Sequence, residues 1–175
     1  MATAPRKKIQ APDTAGRWIK QLALKPHPEG GFFRETYRSF GKLSGTVLNP
    51  PRKGSRTFST AIYFLLKKKQ VSHFHRILSD EIWHFYHGDP LRIHFLFPDG
   101  NYAFQDLGKD SSQASFQAIV PAGVWFGASL HPASRYALMG CTVAPGFDFS
   151  DFELANRKEL LKQYPDHKSI IHALT

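Results

Sequence analysis

The 175-residue sequence predicts an all-β fold, a sandwich or a barrel. Three observations carry that expectation. Eight short runs rich in Val, Ile, Phe, Tyr and Thr follow one another, most of them bounded by Gly, Pro, Asn or Asp. Fifteen phenylalanines and an aromatic content of 14% suit a β-rich interior. Helical periodicity is confined to the two ends, and no segment repeats.

Residues 1–13 are polar, basic and Pro-bearing, the composition of a disordered basic tail. A short helix is expected from Asp13 or Thr14 as cap through Ala23, with Trp18, Ile19 and Leu22 as its apolar stripe. Pro26-His27-Pro28-Glu29-Gly30-Gly31 then turns the chain. Phe32–Arg38 reads as a strand with Phe33, Glu35 and Tyr37 on one face. Residues 41–55 read as a loop, and strands are expected over 57–66, 71–77, 81–87, 91–97, 102–107, 116–120 and 136–143. Lys67-Lys68-Lys69 is placed in a hairpin turn, and Pro98-Asp99-Gly100-Asn101 is a strong turn signal between two strands. Towards the C-terminus, Ser150-Asp151-Phe152-Glu153 matches a capping box. Phe149, Phe152, Leu160 and Tyr164 recur at helical spacing before Pro165, which predicts a helix packed on the outside of the sheet. The expected organisation is one domain over 14–167 followed by a tail over 168–175.

Composition narrows the function classes. The single cysteine, Cys141, excludes an intrachain disulfide framework and reads as a buried inert thiol in a reducing compartment. No apolar run approaches the ~20 residues of a membrane span and no signal-peptide pattern opens the chain, so a cytoplasmic protein is expected. The net charge of +9 comes from short blocks without a zinc-finger, helix-turn-helix or RNP-type signature, so specific nucleic-acid binding is not expected. No nucleophilic triad and no Gly-rich phosphate loop is readable.

The most informative stretch is His73-Phe74-His75 followed by Glu81 and Gly88. Alternation on a strand would aim both imidazoles to one side with Cα atoms roughly 6.5–7 Å apart, near enough to share one ligand or metal ion. A turn at Leu78-Ser79-Asp80 would fold the chain back as a hairpin so that Glu81 faces them. Asp80 lies at the alternative spacing, but Glu81 shares its face with Trp83 and Phe85. An aromatic-lined cavity is expected from Phe33, Tyr37, Tyr63, Trp83, Phe85 and Phe126. Glu35, an acid between aromatics, is either a solvated edge residue or a buried carboxylate suited to proton transfer. His84 is expected to face outward.

His73-x-His75…Glu81-x6-Gly88 followed by Pro121-x-Gly123 resembles the paired motifs of the cupin superfamily. More narrowly, four segments resemble a branch of small cupins catalogued as a domain of unknown function. They are Lys25-Pro-His-Pro-Glu-Gly-Gly31, Ser79-Asp-Glu-Ile-Trp-His-Phe85, Val120-Pro-Ala-Gly-Val-Trp125 and Val143-Ala-Pro-Gly-Phe-Asp-Phe149. The resemblance, over about residues 14–167, implies a double-stranded β-helix, or jelly-roll barrel, with short N- and C-terminal helices. It also implies a homodimer and some likeness to sugar-nucleotide epimerases. One departure stands out: Phe126 occupies the position of the second motif's usual histidine.

Three readings of function follow. The first is a protein that binds a small polar metabolite, sugar-like or of another kind, in the barrel. The second is an enzyme: an isomerase or epimerase using His75 with Glu35 or Glu81, or a metal-dependent one in which His73, His75 and Glu81 hold a divalent ion such as Zn, Fe, Mn or Ni. The third is a non-catalytic structural or storage barrel.

Overall fold

Two antiparallel sheets face each other, and between the central strands the chain repeatedly crosses from one to the other. A computed structural model of the chain describes residues 14–109 and 115–175, so the expected tail over 1–13 lies outside the described residues. The first sheet runs in the order β1 (Lys25–Pro26), β2 (Phe32–Arg38), β5 (Thr60–Lys67), β12 (Tyr136–Ala144), β7 (Asp80–Gly88), β10 (Gln117–Val120). The second runs β13 (Phe152–Leu154), β6 (Val71–Ile77), β11 (Trp125–Leu130), β8 (Leu91–Leu96), β9 (Tyr102–Leu107). A ribbon of β3 (Lys42–Ser44) and β4 (Ser55–Thr57) stands apart. The sets β5-β12-β7-β10 and β6-β11-β8-β9 form the jelly roll that the resemblance implies, with β1, β2 and β13 added at its edges.

The alternation of each strand sorts its side chains between the lumen and the outer faces. Phe64, Leu66, Trp83, Ile93, Phe126 and Met139 meet between the sheets in the central core. On the outer face of the second sheet, Phe74, Leu96 and Trp125 pack beneath helices α2 (Arg157–Gln163) and α3 (Lys168–Ala173), which contribute Leu160 and Ile171. Helix α1 (Ala15–Gln21) is capped by Thr14, as the sequence predicts, and lays Trp18, Ile19 and Leu22 on the outer face of the first sheet beside Leu65 and Leu138.

Five differences from the sequence reading have physical causes. The turns at 67–70 and 78–79, expected as hairpins, join strands of opposite sheets and are corners, as is the turn at 89–90. Strand β11 was not expected, because Gly127, Ala128 and Ser129 carry little strand signal; both its faces are covered, which removes the alternation. A Cβ on Gly127 would lie 2.8 Å from the Ser72 carbonyl oxygen, so the small residue is what lets β6 and β11 approach. The expected loop over 41–55 contains the β3–β4 ribbon and a 3-10 turn at Gly45–Val47. The capping box at Ser150 is not used: Phe152–Leu154 pairs with the edge of β6, and α2 starts later, with Asn156 Oδ1 accepting from the Lys158 and Glu159 amides at 3.0 and 3.4 Å. Finally, 168–175 is no free tail, since α3 buries Ile171 and Leu174 completely.

Candidate functional site

A cavity of about 280 Å³ opens between the sheets, bounded by β2, β5, β12 and β7 on one side and β6 on the other. Its polar floor is His75 of β6, Glu81 of β7, and His27 and Glu29 of the turn between β1 and β2. Phe33, Ile62, Ile77, Val143, Phe147 and Phe149 form apolar walls, and Glu35, Arg38 and Asp148 stand at the opening.

The turn that carries Glu29 is held by its glycines. Gly30 has φ +107° and a Cβ there would sit 2.2 Å from the Val71 carbonyl oxygen, so only glycine lets this turn lie against β6. The docked turn accepts the His73 amide on the Glu29 carbonyl at 2.8 Å. It thereby pushes the Glu29 side chain into the barrel, where the residue is 6% exposed.

A bulge decides which residues of β6 face the cavity. Phe126 opposes His75, but Ala128 opposes Ser72, so β6 carries one residue more than β11 between those pairs. Ser72 and His75 therefore both point inward, and His73 is turned aside, with its Nδ1 2.7 Å from the Glu29 carbonyl oxygen. The expected trio His73, His75 and Glu81 does not converge. Among the described residues no group of three or more His, Cys, Asp or Glu is arranged to hold a metal ion. The residues present do not fit a divalent cation bound by that set.

What does converge is a hydrogen-bonded cluster around Glu29. His75 Nδ1 lies 2.7 Å from the His73 carbonyl oxygen, an acceptor only, so that nitrogen carries the hydrogen. In the neutral ring Nε2 is then a lone pair, and it faces Glu29 Oε2 at 3.1 Å. Burial holds the His75 pKa below the usual imidazole value. The Glu29 amide donates to His27 Nδ1 at 3.3 Å, which occupies the lone pair of that unprotonated nitrogen, and the nitrogen lies 3.4 Å from the same Oε2. Burial, helped by the proximity of His75, lowers the His27 pKa to about 4. Ser72 Oγ donates to Glu29 Oε1 at 2.9 Å. Burial raises the Glu29 pKa to about 8, against a smaller opposing effect of that hydroxyl.

Glu81 completes the floor. It is 7% exposed and lines the cavity, while its neighbour Asp80 faces out and accepts the Ala122 amide at 2.8 Å. Burial first, and the nearby Glu29 second, raise its pKa to about 7; His75, the Cys141 thiol and the Trp83 indole oppose this more weakly. Trp83 Nε1 is a buried donor that makes no hydrogen bond of normal geometry among the described residues, which is why its pull on Glu81 is weak. Cys141 is buried at the cavity wall, and burial raises its pKa well above the ordinary thiol value.

The remaining expected residues divide. Phe33 lines the cavity. Trp83 and Phe126 lie beneath it in the core, Phe126 with its ring centroid 4.1 Å from that of His75, and Phe85 packs against the same core. Tyr63 belongs to the opposite face of β5, against the α1 cluster and 5.8 Å from the Arg34 guanidinium. Tyr37 is displaced by a second bulge: Glu35 opposes Ile62 and Tyr37 opposes Ala61, so Thr36 is the extra residue. That bulge aligns Arg38 with Glu35 on the cavity side and leaves Tyr37 54% exposed. Glu35 is half-exposed and clamped by Arg38 at 2.9 and 2.6 Å, so it is not a buried base. His84 faces away from the lumen, towards Thr142 and Gln117, as expected.

The sequence reading missed Glu29, Arg38 and the Phe147–Phe149 wall as cavity residues. The wall is fixed from behind: Asp151, its side chain 6% exposed, accepts from Arg56 at 2.6 and 2.7 Å and from Arg52 at 3.1 Å. Arg52 also bonds Ser79 Oγ and the Leu78 carbonyl, tying the wall to the β6–β7 corner. The signal for Glu29 was on the page in the Pro-His-Pro-Glu-Gly-Gly segment, where a glycine pair flags a close backbone approach.

Comparison with known proteins places the geometry in context. The family described as "Cupin superfamily (DUF985)" matches residues 16–155. The uncharacterized protein YML079W of Saccharomyces cerevisiae is 30% identical over 165 residues, spanning 87% of this chain and 81% of its own length. The crystal structure of protein SO0799 from Shewanella oneidensis is 38% identical with a TM-score of 0.84, over 93% of this chain and 98% of that one. A hypothetical protein from Leishmania major is 35% identical with a TM-score of 0.85, over 93% and 99% of the two chains. Oxalate decarboxylase from Bacillus subtilis shares the fold, at 13% identity and a TM-score of 0.52, over 86% of this chain and 36% of that one.

Proposed function

The chain belongs to the cupin superfamily, in its DUF985 branch, and we propose that it binds a small polar metabolite, sugar-like in its hydrogen bonding, inside the barrel. One observation carries this reading: a cavity of about 280 Å³ with aromatic and aliphatic walls and a floor of convergent polar groups. That is the usual form of a small-molecule site, near the lower end of the size range. A thermal-shift screen of uncharged polyols, sugars and hydroxy-carbonyl compounds tests it. At least one compound class should raise the melting temperature of wild-type protein by a few degrees and leave Phe33→Trp, which fills the cavity, unmoved. If no class stabilises the wild type, the barrel is a scaffold and the binding reading falls.

A specific observation favours a second reading, an isomerase- or epimerase-like enzyme. Glu29 and Glu81 titrate at about 8 and about 7, beside a neutral His75, in a nearly dry cluster. Groups with pKa values near the working pH are suited to moving protons at a carbon next to a carbonyl. The homodimer implied by the family is also part of this proposal, supported by Tyr86 and Ile119, 52% and 62% exposed on strands of the first sheet.

A further inference from the structure

We propose that Glu29 is the proton-donating catalytic residue of this pocket, and that its substrate is a small uncharged carbonyl compound with a C–H bond beside the C=O. The inference deepens the second reading above and rests on it.

Hydrogen-bond direction carries the argument for the acid. Glu29 Oε2 faces two unprotonated imidazole nitrogens, His75 Nε2 at 3.1 Å and His27 Nδ1 at 3.4 Å; the His27 lone pair is taken by the Glu29 amide, so that of His75 is the one aimed at the carboxyl. The His75 lone pair and a carboxylate oxygen repel unless a hydrogen lies between them. The arrangement is satisfied when Oε2 carries a proton and donates it to His75 Nε2, while Oε1 accepts from Ser72. The groups around Glu29 are His27, His75, Ser72 and, across the cavity, Glu81 and the Cys141 thiol. The raised pKa of Glu29 agrees with the geometry.

Charge carries the argument for the substrate class. Among the described residues the cavity is lined by four carboxyl groups, Glu29, Glu35, Glu81 and Asp148, and by one arginine, Arg38. The Arg38 guanidinium directs Nε and Nη2 at Glu35 and Nη1 at the Phe147 carbonyl, three of its five N–H groups, so its charge is already paired with Glu35. A phosphate or carboxylate entering here meets acids and no uncommitted arginine, so anionic ligands are disfavoured. An uncharged molecule with a carbonyl oxygen to accept from Glu29 fits both the floor and the apolar walls.

The step balances without a co-reactant. Glu81 as carboxylate removes the proton from the carbon; the C–H pair becomes a C=C bond and the carbonyl pair moves to oxygen, which takes the Glu29 proton. The products are an enol, a protonated Glu81 and an ionised Glu29, so the site's charge is unchanged and the two acids exchange states. Return of the proton to the other face, or to the neighbouring carbon after the enol shifts, gives an epimer or an isomer.

Two measurements on the full chain, washed with chelator, decide it. In protein labelled with ¹³C-Glu and ¹⁵N-His at pH 7, the Glu29 carboxyl signal, assigned by its loss in Glu29→Gln, should have the protonated shift, with hydrogen on Nδ1 and not Nε2 of His75. An ionised Glu29, or hydrogen on His75 Nε2, overturns the proposal. Separately, wild type should incorporate deuterium from D₂O into hydroxyacetone or dihydroxyacetone, and Glu29→Gln should slow this by on the order of 100-fold at unchanged circular dichroism. Incorporation that is equal in wild type and Glu29→Gln removes the role of Glu29 and leaves the enzyme reading standing. No incorporation by wild type refutes the enzyme reading and this proposal with it, while metabolite binding stays intact.

Discussion

Replacing Glu29 by Gln should flatten the dependence of stability on pH between about 6.5 and 8. In the folded chain Glu29 has a pKa of about 8 and Glu81 of about 7, against an ordinary value of 4.5 for both. A raised carboxyl pKa means that the native state binds more protons than the unfolded chain over that interval, so stability falls as pH rises through it. His27, at about 4, and His75, also lowered, act in the opposite sense below their ordinary 6.5, where the unfolded chain takes up the protons instead. The two effects offset one another from about pH 4.5 to 6.5, and the carboxyl effect stands alone above it. From 6.5 to 8, Glu29 contributes about 1.5 units and Glu81 about 0.5, a loss of about 2–3 kcal/mol at 1.36 kcal/mol per unit. That corresponds to a fall of roughly 5–10 °C in melting temperature for a chain of this size. In Glu29→Gln the fall should shrink below about 1 kcal/mol, because the first contribution is gone and Glu81 loses the neighbour that raises it. Urea unfolding at pH 5.5, 6.5, 7.5 and 8.0 measures this, the partial ionisation of the unfolded Cys141 thiol at the upper end being common to wild type and Glu29→Gln. A wild-type stability that is level or rising across the interval, or an undiminished fall in Glu29→Gln, would refute the assignment of a neutral Glu29.

Three further outcomes follow from the packing. Asp151→Asn leaves Arg52 and Arg56 buried without their shared counter-charge and should cost about 3–5 kcal/mol in urea unfolding; a cost under 1 kcal/mol would show that the pair does not hold the wall. Gly30→Ala, with φ +107° and the Val71 carbonyl 2.2 Å from the new Cβ, should destabilise by at least about 2 kcal/mol, read as a lowered denaturation midpoint. Tyr37→Ala and Tyr63→Ala should leave the affinity for any metabolite found by screening within about twofold, since both rings lie outside the cavity; isothermal titration comparing them with Ile62→Ala, a wall residue, checks this.

Most strands were legible because each half-buried run alternates with period 2 and stops at a turn signal. Strand β11 was not, since covering both faces erases alternation, and neither was the β3–β4 ribbon, whose residues read as loop. At the site the sequence identified His75, Glu81 and Phe33 correctly, because alternation within one regular strand is a local property. It misplaced His73 and Tyr37 for one reason: a single extra residue in β6 and another in β2 break the period, and nothing in a lone sequence marks a bulge. It missed Glu29 because the residue sits in a turn and enters the barrel only when that turn docks on a strand 44 positions away. Tyr63 failed differently. Its strand was right and its parity wrong, as nothing fixed which side of β5 faces inward.

The floor has two sources. Glu81 and His75 come from strands of the jelly roll itself, whereas Glu29 hangs on a turn outside those eight strands. The acid can therefore be exchanged as a cassette: grafting a different loop over 26–31 would re-equip an unchanged vessel, so two proteins with superimposable barrels can differ in whether they hold a spare proton at all.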